Sequence, residues 1–159
     1  MTQKLSESTK RVQAALKKLE FTGEIREMPE STRTAAEAAR AIGCEVGQIA
    51  KSLIFKIKNT HLPVLIICSG KNRVDEVKIS QLIGETIEKA DAAFVLEQTG
   101  FVIGGISPVG HKQSLRTFID EDLLSYSEIW AAAGTPRTVF KLTPMDLVKL
   151  TKGQVAECK

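Results

Sequence analysis

One lysine in an apolar strand pattern could do chemistry in this chain. Lys51 lies in the segment IAKSLIFKIK, Ile49–Lys58, whose residues alternate as in a β-strand. It falls on the same face as Leu53, Phe55 and Ile57. A lysine there either extends to solvent at the strand's edge or directs its ammonium into a pocket, where three donors and a compact charge suit an anionic group. The pattern leaves both interpretations open.

The second candidate is the loop VIGGISPVGHK, Val102–Lys112, which contains three glycines and one proline. Such a composition permits unusual backbone angles and keeps side chains out of the way. Amides exposed in this way can stabilise a carbonyl oxygen as it gains negative charge. The alternative is a plain glycine turn between a helix and a strand. The positions that we expect to act together are Gly104, Gly105, Ile106, Ser107 and Pro108.

Weaker candidates flank these two. His111 lies near the end of the loop, after its last glycine, and could contact a ligand, although a lone histidine in a polar loop is more often solvated. Gly134 and Thr135 follow a run of three alanines and could complete a small binding site, with turn or capping roles as the simpler explanation. Cys68 lies inside an apolar run, which favours a core position over a nucleophile.

Several classes of protein are excluded. The sequence has no G-x-S-x-G elbow, no P-loop and no dinucleotide fingerprint. Its two histidines and three scattered cysteines form no CxxC pair, so we expect reduced thiols, no metal and no cofactor. The 159 residues, 43% hydrophobic and 26% charged, predict a single domain over residues 1–159. A net charge of +3 permits a polyanion such as RNA as a partner without requiring one.

The chain carries neither an apolar run long enough to span a bilayer nor, in its start MTQKLSESTKR, the apolar core of a signal peptide. We therefore expect a cytoplasmic protein with no membrane partner.

Hydrophobic periodicity and end signals predict helices and strands in groups rather than in strict alternation, which favours a mixed, largely antiparallel α+β fold. Helices are predicted at Ser8–Phe21, from the Thr34 cap to Gly43, at Val77–Ile83, at Asp91–Gln98 and after the Thr143 cap. Strands are predicted at Glu24–Met28, Ile49–Lys58, Leu62–Cys68, Ser114–Ile119, Glu128–Ala132, Thr138–Leu142 and Gln154–Ala156.

The motif QIAKSL at Gln48–Leu53, followed by GGISPVG at Gly104–Gly110, resembles the YbaK / prolyl-tRNA synthetase-associated domain family. The segments AEAARAIGCEVGQIAKSL, SGKNRVD and GTPRTVFKLTPMDL also match, so that the resemblance spans Thr34–Thr151. It implies a mixed, partly barrel-like β-sheet flanked by helices. It also implies a trans-editing hydrolase that removes the wrong amino acid from a mischarged tRNA, typically the tRNA for proline.

By position, Lys51 corresponds to the family's lysine, which contacts the substrate end and the phosphate of the terminal adenosine. Gly104 and Pro108 correspond to the ends of the G-x-x-x-P loop, which shapes a small pocket and holds the aminoacyl carbonyl. Water and a group of the substrate itself then do much of the chemistry. The implied partners are the acceptor end of tRNA(Pro) and a prolyl-tRNA synthetase.

The identity of the amino acid stays open, because the histidine-containing pattern of the family's cysteine-specific branch is replaced here by REMPESTRTAAEAARAIG. Alanine, cysteine or another small residue are all candidates. Two other functions are also carried forward: a non-catalytic module that binds tRNA or a synthetase, and a hydrolase for other small acyl esters.

Overall fold

The computed structural model describes residues 6–159; residues 1–5, the start of the polar N-terminal stretch, lie outside the described residues. Within residues 6–159 the chain forms five α-helices and one sheet of eight strands, and the predicted α+β class is confirmed. The helices are α1 Glu7–Lys18, α2 Ala35–Ile42, α3 Glu76–Ile83, α4 Ala92–Thr99 and α5 Pro144–Thr151. The strands are β1 Ile25–Glu27, β2 Ile49–Ile57, β3 Pro63–Ser69, β4 Ile87–Lys89, β5 Arg116–Asp120, β6 Ile129–Ala132, β7 Thr138–Leu142 and β8 Gln154–Ala156.

Local signals fix the ends of the helices. The Thr34 hydroxyl accepts a hydrogen bond from the Glu37 amide at 3.1 Å, and Gly43 closes α2 in the left-handed conformation. Asp91 and Thr143 cap α4 and α5 as predicted. Helix α1 ends at Lys18, three residues earlier than its apolar pattern indicated.

The strand order is β1-β7-β6-β2-β3-β5-β8, with β4 pairing to β2 off this path. Four of the pairings are antiparallel and three are parallel. Strand β3 lies inside the sheet between β2 and β5 with all seven residues buried, which confirms the buried strand predicted from its apolar run. The partly barrel-like sheet expected from the resemblance is an open sheet with β1 and β8 at its edges.

The sheet forks at β2. One edge of β2 pairs with β3 from Ala50 to Lys56. On the other edge, β6 pairs only as far as Ala50, and β4 begins only at Phe55. The stretch between these two pairings, residues 51–54, therefore has no strand neighbour on that edge among residues 6–159.

Backbone groups at the fork are left without ladder partners. The Ile57 amide donates to the Leu62 carbonyl on the β3 side, and the Lys58 amide donates to Thr86 on the β4 side. Because these directions alternate along a strand, the backbone N–H and C=O groups of Ser52 and Ile54 are directed into the gap.

The largest core cluster joins α1 to the loop as well as to the sheet. Val12 and Leu16 of α1 pack in the same cluster as Ile106 and Val109 of the loop. Burial of these side chains stabilises the loop against the first helix.

In the described part of the chain, no helix has the length and apolar character needed to cross a membrane.

Candidate active site

A cavity of about 810 Å³ occupies the fork of the sheet. Strand β2 forms one wall, and the start of α2, strand β6 and the glycine loop form the others. Apolar side chains dominate the lining, and two of the residues that the sequence singled out, Lys51 and Gly104, both lie on it. The structure therefore brings the lysine and the head of the loop to one concave site, as ligand sites usually require.

Lys51 is half-buried, and its ammonium is held by the turn that follows β3. Its Nζ donates to the backbone carbonyl of Asn72 at 2.6 Å. The Asn72 side-chain amide in turn donates to Asp120 at 2.9 Å and to Asp122 at 2.7 Å. Asp120 is 1% exposed and also accepts from the Ser69 amide at 3.0 Å. This network fixes the position of the lysine, and no signal in the sequence indicated the roles of Asn72 and Asp120.

The loop begins with a tight turn. The Gly105 amide donates to the Val102 carbonyl at 3.0 Å, and Gly104 at the third position has a φ of +90°. A positive φ at this position is the mark of a type II turn and favours glycine. Gly104 and Ile106 line the cavity, and neither of their amides donates to an acceptor within residues 6–159. These amides are available for a ligand oxygen.

Gly105 lies against the backbone of the turn after β6. A Cβ added there would lie 2.7 Å from the carbonyl carbon of Thr135 and 2.8 Å from its Cα. Gly134 is equally close to α1, where an added Cβ would lie 2.8 Å from the carbonyl carbon of Ser8. Gly134 and Thr135, predicted to bind substrate, do not line the cavity: Thr135 packs against the loop at Gly105, and Gly134 packs against α1.

The second half of the loop is buried. Ser107 is 0% exposed, and its hydroxyl accepts from the Val109 amide at 3.2 Å, which is a turn role. Pro108 is buried as well and, like Ser107 and Gly105, lies outside the cavity lining. Within the predicted G-x-x-x-P stretch, Gly104 and Ile106 are therefore the residues that face the cavity.

Arg11 of α1 connects the backbone just before the loop to the backbone near the loop's end. Its guanidinium donates to the Gly110 carbonyl at 3.2 Å and to the Gly100 carbonyl at 2.8 Å. The same group lies 4.7 Å from the centre of the Phe101 ring. Sequence reasoning missed this contact because Arg11 looks like any other base of α1, and the contact spans about ninety residues.

His111 is placed behind the loop and does not line the cavity, so the structure does not bring this predicted contact residue together with Lys51 and Gly104. Its ring lies edge-on to Phe101 at 5.4 Å, and both ring nitrogens are buried without a hydrogen-bond partner among the described residues. Burial lowers the pKa of His111 to about 4, although the nearby carbonyls of Ser107 and Pro108 oppose this shift. The ring is therefore neutral at physiological pH and packs as an aromatic group.

Positive charge surrounds the cavity. Among the described residues, four basic side chains and one carboxylate, that of Glu76, line it. The field at the cavity therefore favours an anionic ligand. The four bases are Arg33, Lys51, Arg73 and Lys89.

Two hydroxyl residues that the sequence did not single out also line the cavity, namely Thr32 and Ser52.

Cys68, by contrast, is 0% exposed, and burial raises the pKa of its thiol to about 12. A thiol in that state is not a nucleophile, which confirms the core position predicted for it. The cavity thus offers a cation held by a hydrogen bond, free amides and hydroxyls.

Residues 29–150 match the model of the aminoacyl-tRNA editing domain. The fold is similar to the crystal structure of a proposed trans-editing enzyme for prolyl-tRNA synthetase, with a TM-score of 0.92, 50% identity, and coverage of 98% of this chain and 99% of that one. A proposed Cys-tRNA(Pro)/Cys-tRNA(Cys) deacylase of Enterococcus faecalis, EbsC, is 31% identical over 80% of this chain and 78% of its own length. The proline–tRNA ligase of Bacillus licheniformis is 32% identical over 72% of this chain, which spans only 20% of that enzyme.

Proposed function

The chain belongs to the aminoacyl-tRNA editing domain family, and from this premise we propose that it deacylates mischarged tRNA(Pro) carrying a small amino acid. The reaction adds water to the aminoacyl carbonyl and breaks the ester bond to the terminal ribose. The ribose oxygen leaves with a proton, so that the products are the free amino acid and an intact tRNA end. This activity belongs in the cytoplasm, with a prolyl-tRNA synthetase as a second candidate partner.

The observation that carries the proposal is that Lys51 and the free amides of Gly104 and Ile106 line the same cavity. In the proposed complex, the ammonium binds a phosphate of the terminal nucleotide. The amides donate hydrogen bonds to the negatively charged oxygen of the tetrahedral intermediate, where backbone donors that are already oriented are most effective. No side-chain nucleophile is needed.

The surrounding charge supports binding of the acceptor end. Arg33, Arg73 and Lys89 line the cavity together with Lys51, and a single-stranded CCA end brings several phosphates to them. Binding should therefore weaken as salt rises.

A second site of this kind compensates for the limited selectivity of the aminoacylation pocket. A pocket built for proline rejects an amino acid smaller by one methylene by only about 1–3 kcal/mol, so errors pass the first site. A separate cavity that admits only small side chains can remove them.

The test is deacylation of tRNA(Pro) charged in turn with alanine, cysteine, serine, threonine and 2-aminobutyrate. Lys51→Ala is expected to lower kcat/KM by about 100-fold or more, because the variant loses the charge that positions the substrate end. Lys58→Ala is the matched control, since Lys58 is an exposed lysine just beyond β2.

The rival functions give different results. Binding of tRNA without release of any amino acid would contradict the proposal and favour a non-catalytic module. Equal release from free aminoacyl esters and from charged tRNA would instead favour a general small-ester hydrolase.

A further inference from the structure

Two buried hydroxyls in the cavity lack hydrogen-bond partners. Thr32 is 6% exposed and Ser52 is 9% exposed, and both line the cavity at the fork. Neither the Thr32 Oγ1 nor the Ser52 Oγ has a partner among residues 6–159. Most buried side-chain polar groups in proteins are hydrogen-bonded, so each exception needs an explanation.

The backbone around these hydroxyls holds them in place. The Thr32 amide donates to the Pro136 carbonyl at 2.7 Å, which ties this residue to the turn before β7. Ser52 follows Lys51 within β2, and β3 pairs with it on its closed edge. Both hydroxyls are thus carried by anchored backbone on the cavity lining, where they can contact whatever occupies the cavity.

The rest of the lining does not provide partners for them. Small apolar residues form the walls nearby, among them Ala38, Ala50 and Ala131. The α-ammonium of an aminoacyl group has other acceptors, the backbone carbonyls that Ser52 and Ile54 direct into the gap. The two hydroxyls are therefore left for a polar group on the ligand's side chain.

We propose that the aminoacyl group removed at this site carries a side-chain hydroxyl, as serine and threonine do, and that Thr32 and Ser52 determine this specificity. The inference rests on the proposed deacylase function and narrows its substrate class. A substrate hydroxyl both donates and accepts, so it can bond to either or both protein hydroxyls. Alanine and 2-aminobutyrate leave them unpaired, and a thiol is a weak partner. Sites built to bond a hydroxyl discriminate strongly against analogues without one.

The first experiment compares substrates on one tRNA(Pro), charged with a tRNA-acylating ribozyme. We expect kcat/KM for serine and threonine to exceed that for alanine, cysteine and 2-aminobutyrate by at least about tenfold. Alanine or cysteine removed as fast as serine would overturn the inference while leaving the deacylase function intact. No release from any of the five would instead contradict the function itself.

The second experiment changes the hydroxyls. Thr32→Val keeps the shape and removes the hydroxyl, and Ser52→Ala does the same with a smaller change in volume. Each is expected to lower the serine-to-alanine ratio of kcat/KM by about tenfold or more. Thr86→Val, at an exposed threonine before β4, is the control and should leave that ratio unchanged. A ratio equal to wild type in both cavity variants overturns the inference.

Two readouts separate specificity from a structural role. Removing an unpaired buried hydroxyl should leave the Tm equal or raise it, whereas loss of a structural hydrogen bond would lower it and count against the inference. Binding of 3′-(L-seryl)amino-3′-deoxyadenosine, a non-hydrolysable analogue, should be at least tenfold tighter than binding of its L-alanyl counterpart in wild type. This preference should be lost in Thr32→Val, and its persistence would contradict the assignment.

Discussion

The proposed function uses two walls of the cavity, and different forces hold them. On the lysine wall, formed by Lys51 and the turn through Asn72, side-chain hydrogen bonds lead to the buried Asp120. On the loop wall, Gly104–Pro108, backbone packs against backbone, and Gly105 leaves no room for a Cβ beside Thr135. One wall presents a charge on a flexible side chain, and the other presents amides that have no side-chain freedom.

The difference indicates how each wall fails. A charge held by a polar network can be displaced and still reach the same ligand, because lysine has several rotatable bonds. Amides aimed at an oxyanion are effective only at the correct distance, and a displacement of about 1 Å can cost 100-fold in rate. We therefore expect changes in the loop wall to cost more activity than changes in the residues that support the lysine.

Among changes to the residues that shape or support the two walls, the largest effect is expected for Gly105→Ala. The added Cβ would overlap the backbone of Thr135, so the loop must move. We expect deacylation to fall about 100-fold and the free energy of unfolding to fall by about 1–3 kcal/mol. Rates and denaturant unfolding measure the two effects.

Gly84→Ala is the control for this variant, because Gly84 has a φ of +82° and open space around its Cβ position. It should lose stability through backbone strain while keeping wild-type activity. A Gly105→Ala enzyme with wild-type rates would show that the loop tolerates displacement, and the contrast between the walls would disappear.

The sequence predicted the features of this site that depend on local patterns, and missed those that depend on contacts between residues far apart in the chain. Lys51 on an apolar strand face and the glycine loop are local patterns, and both reach the cavity. The fork, by contrast, depends on pairing between distant segments. One of its strands, β4, has only three residues, Ile87–Lys89, which is too short for a periodic pattern to predict it. The roles of Asn72 and Arg11 depend on contacts across the fold that no spacing encodes.

Three of the predicted contact residues lie outside the cavity for a common physical reason. The sequence suggested that three residues near glycine turns contact substrate. Gly134 and Thr135 belong to the turn after the three alanines, and His111 lies near the end of the loop. In the structure they pack behind it, because α1 and Phe101 cover that side. Sequence patterns identified the loop but could not tell its concave face from its buried one.

The next largest effect is expected for Arg11, which hydrogen-bonds to the backbone on both sides of the loop wall. Arg11→Ala removes the donors to Gly100 and Gly110, and we expect kcat to fall about tenfold with little change in KM, because the oxyanion amides lose their alignment. Arg11→Lys should recover part of the rate. Lys10→Ala, which removes only an exposed ion pair to Glu7, should match wild type. A fall in stability without a fall in kcat would assign Arg11 to folding alone.

A smaller effect is expected on the lysine wall. Asn72→Ala removes the link to Asp120 and Asp122 but keeps the backbone carbonyl that holds Lys51. We expect KM to rise about fivefold with kcat nearly unchanged, because the ammonium still reaches a phosphate with less precision. Asn59→Ala, in the exposed turn after β2, is the control. If Asn72→Ala proves as damaging as Gly105→Ala, the two walls are equally rigid.

The smallest effect on activity is expected for His111→Phe, since the ring lies outside the cavity. Its main consequence is on stability at low pH. The folded pKa of about 4 lies below the unfolded value of 6.5, so the unfolded chain binds the proton first and stability falls as the pH drops between these values. For His111 alone this amounts to about 2 kcal/mol between pH 7.5 and pH 5. Phenylalanine can keep the edge-on contact with Phe101 without titrating, so His111→Phe should flatten the dependence of unfolding free energy on pH across this range while leaving deacylation at neutral pH unchanged. The same slope in both proteins would place the acid sensitivity elsewhere, and a loss of neutral-pH activity would return His111 to the site.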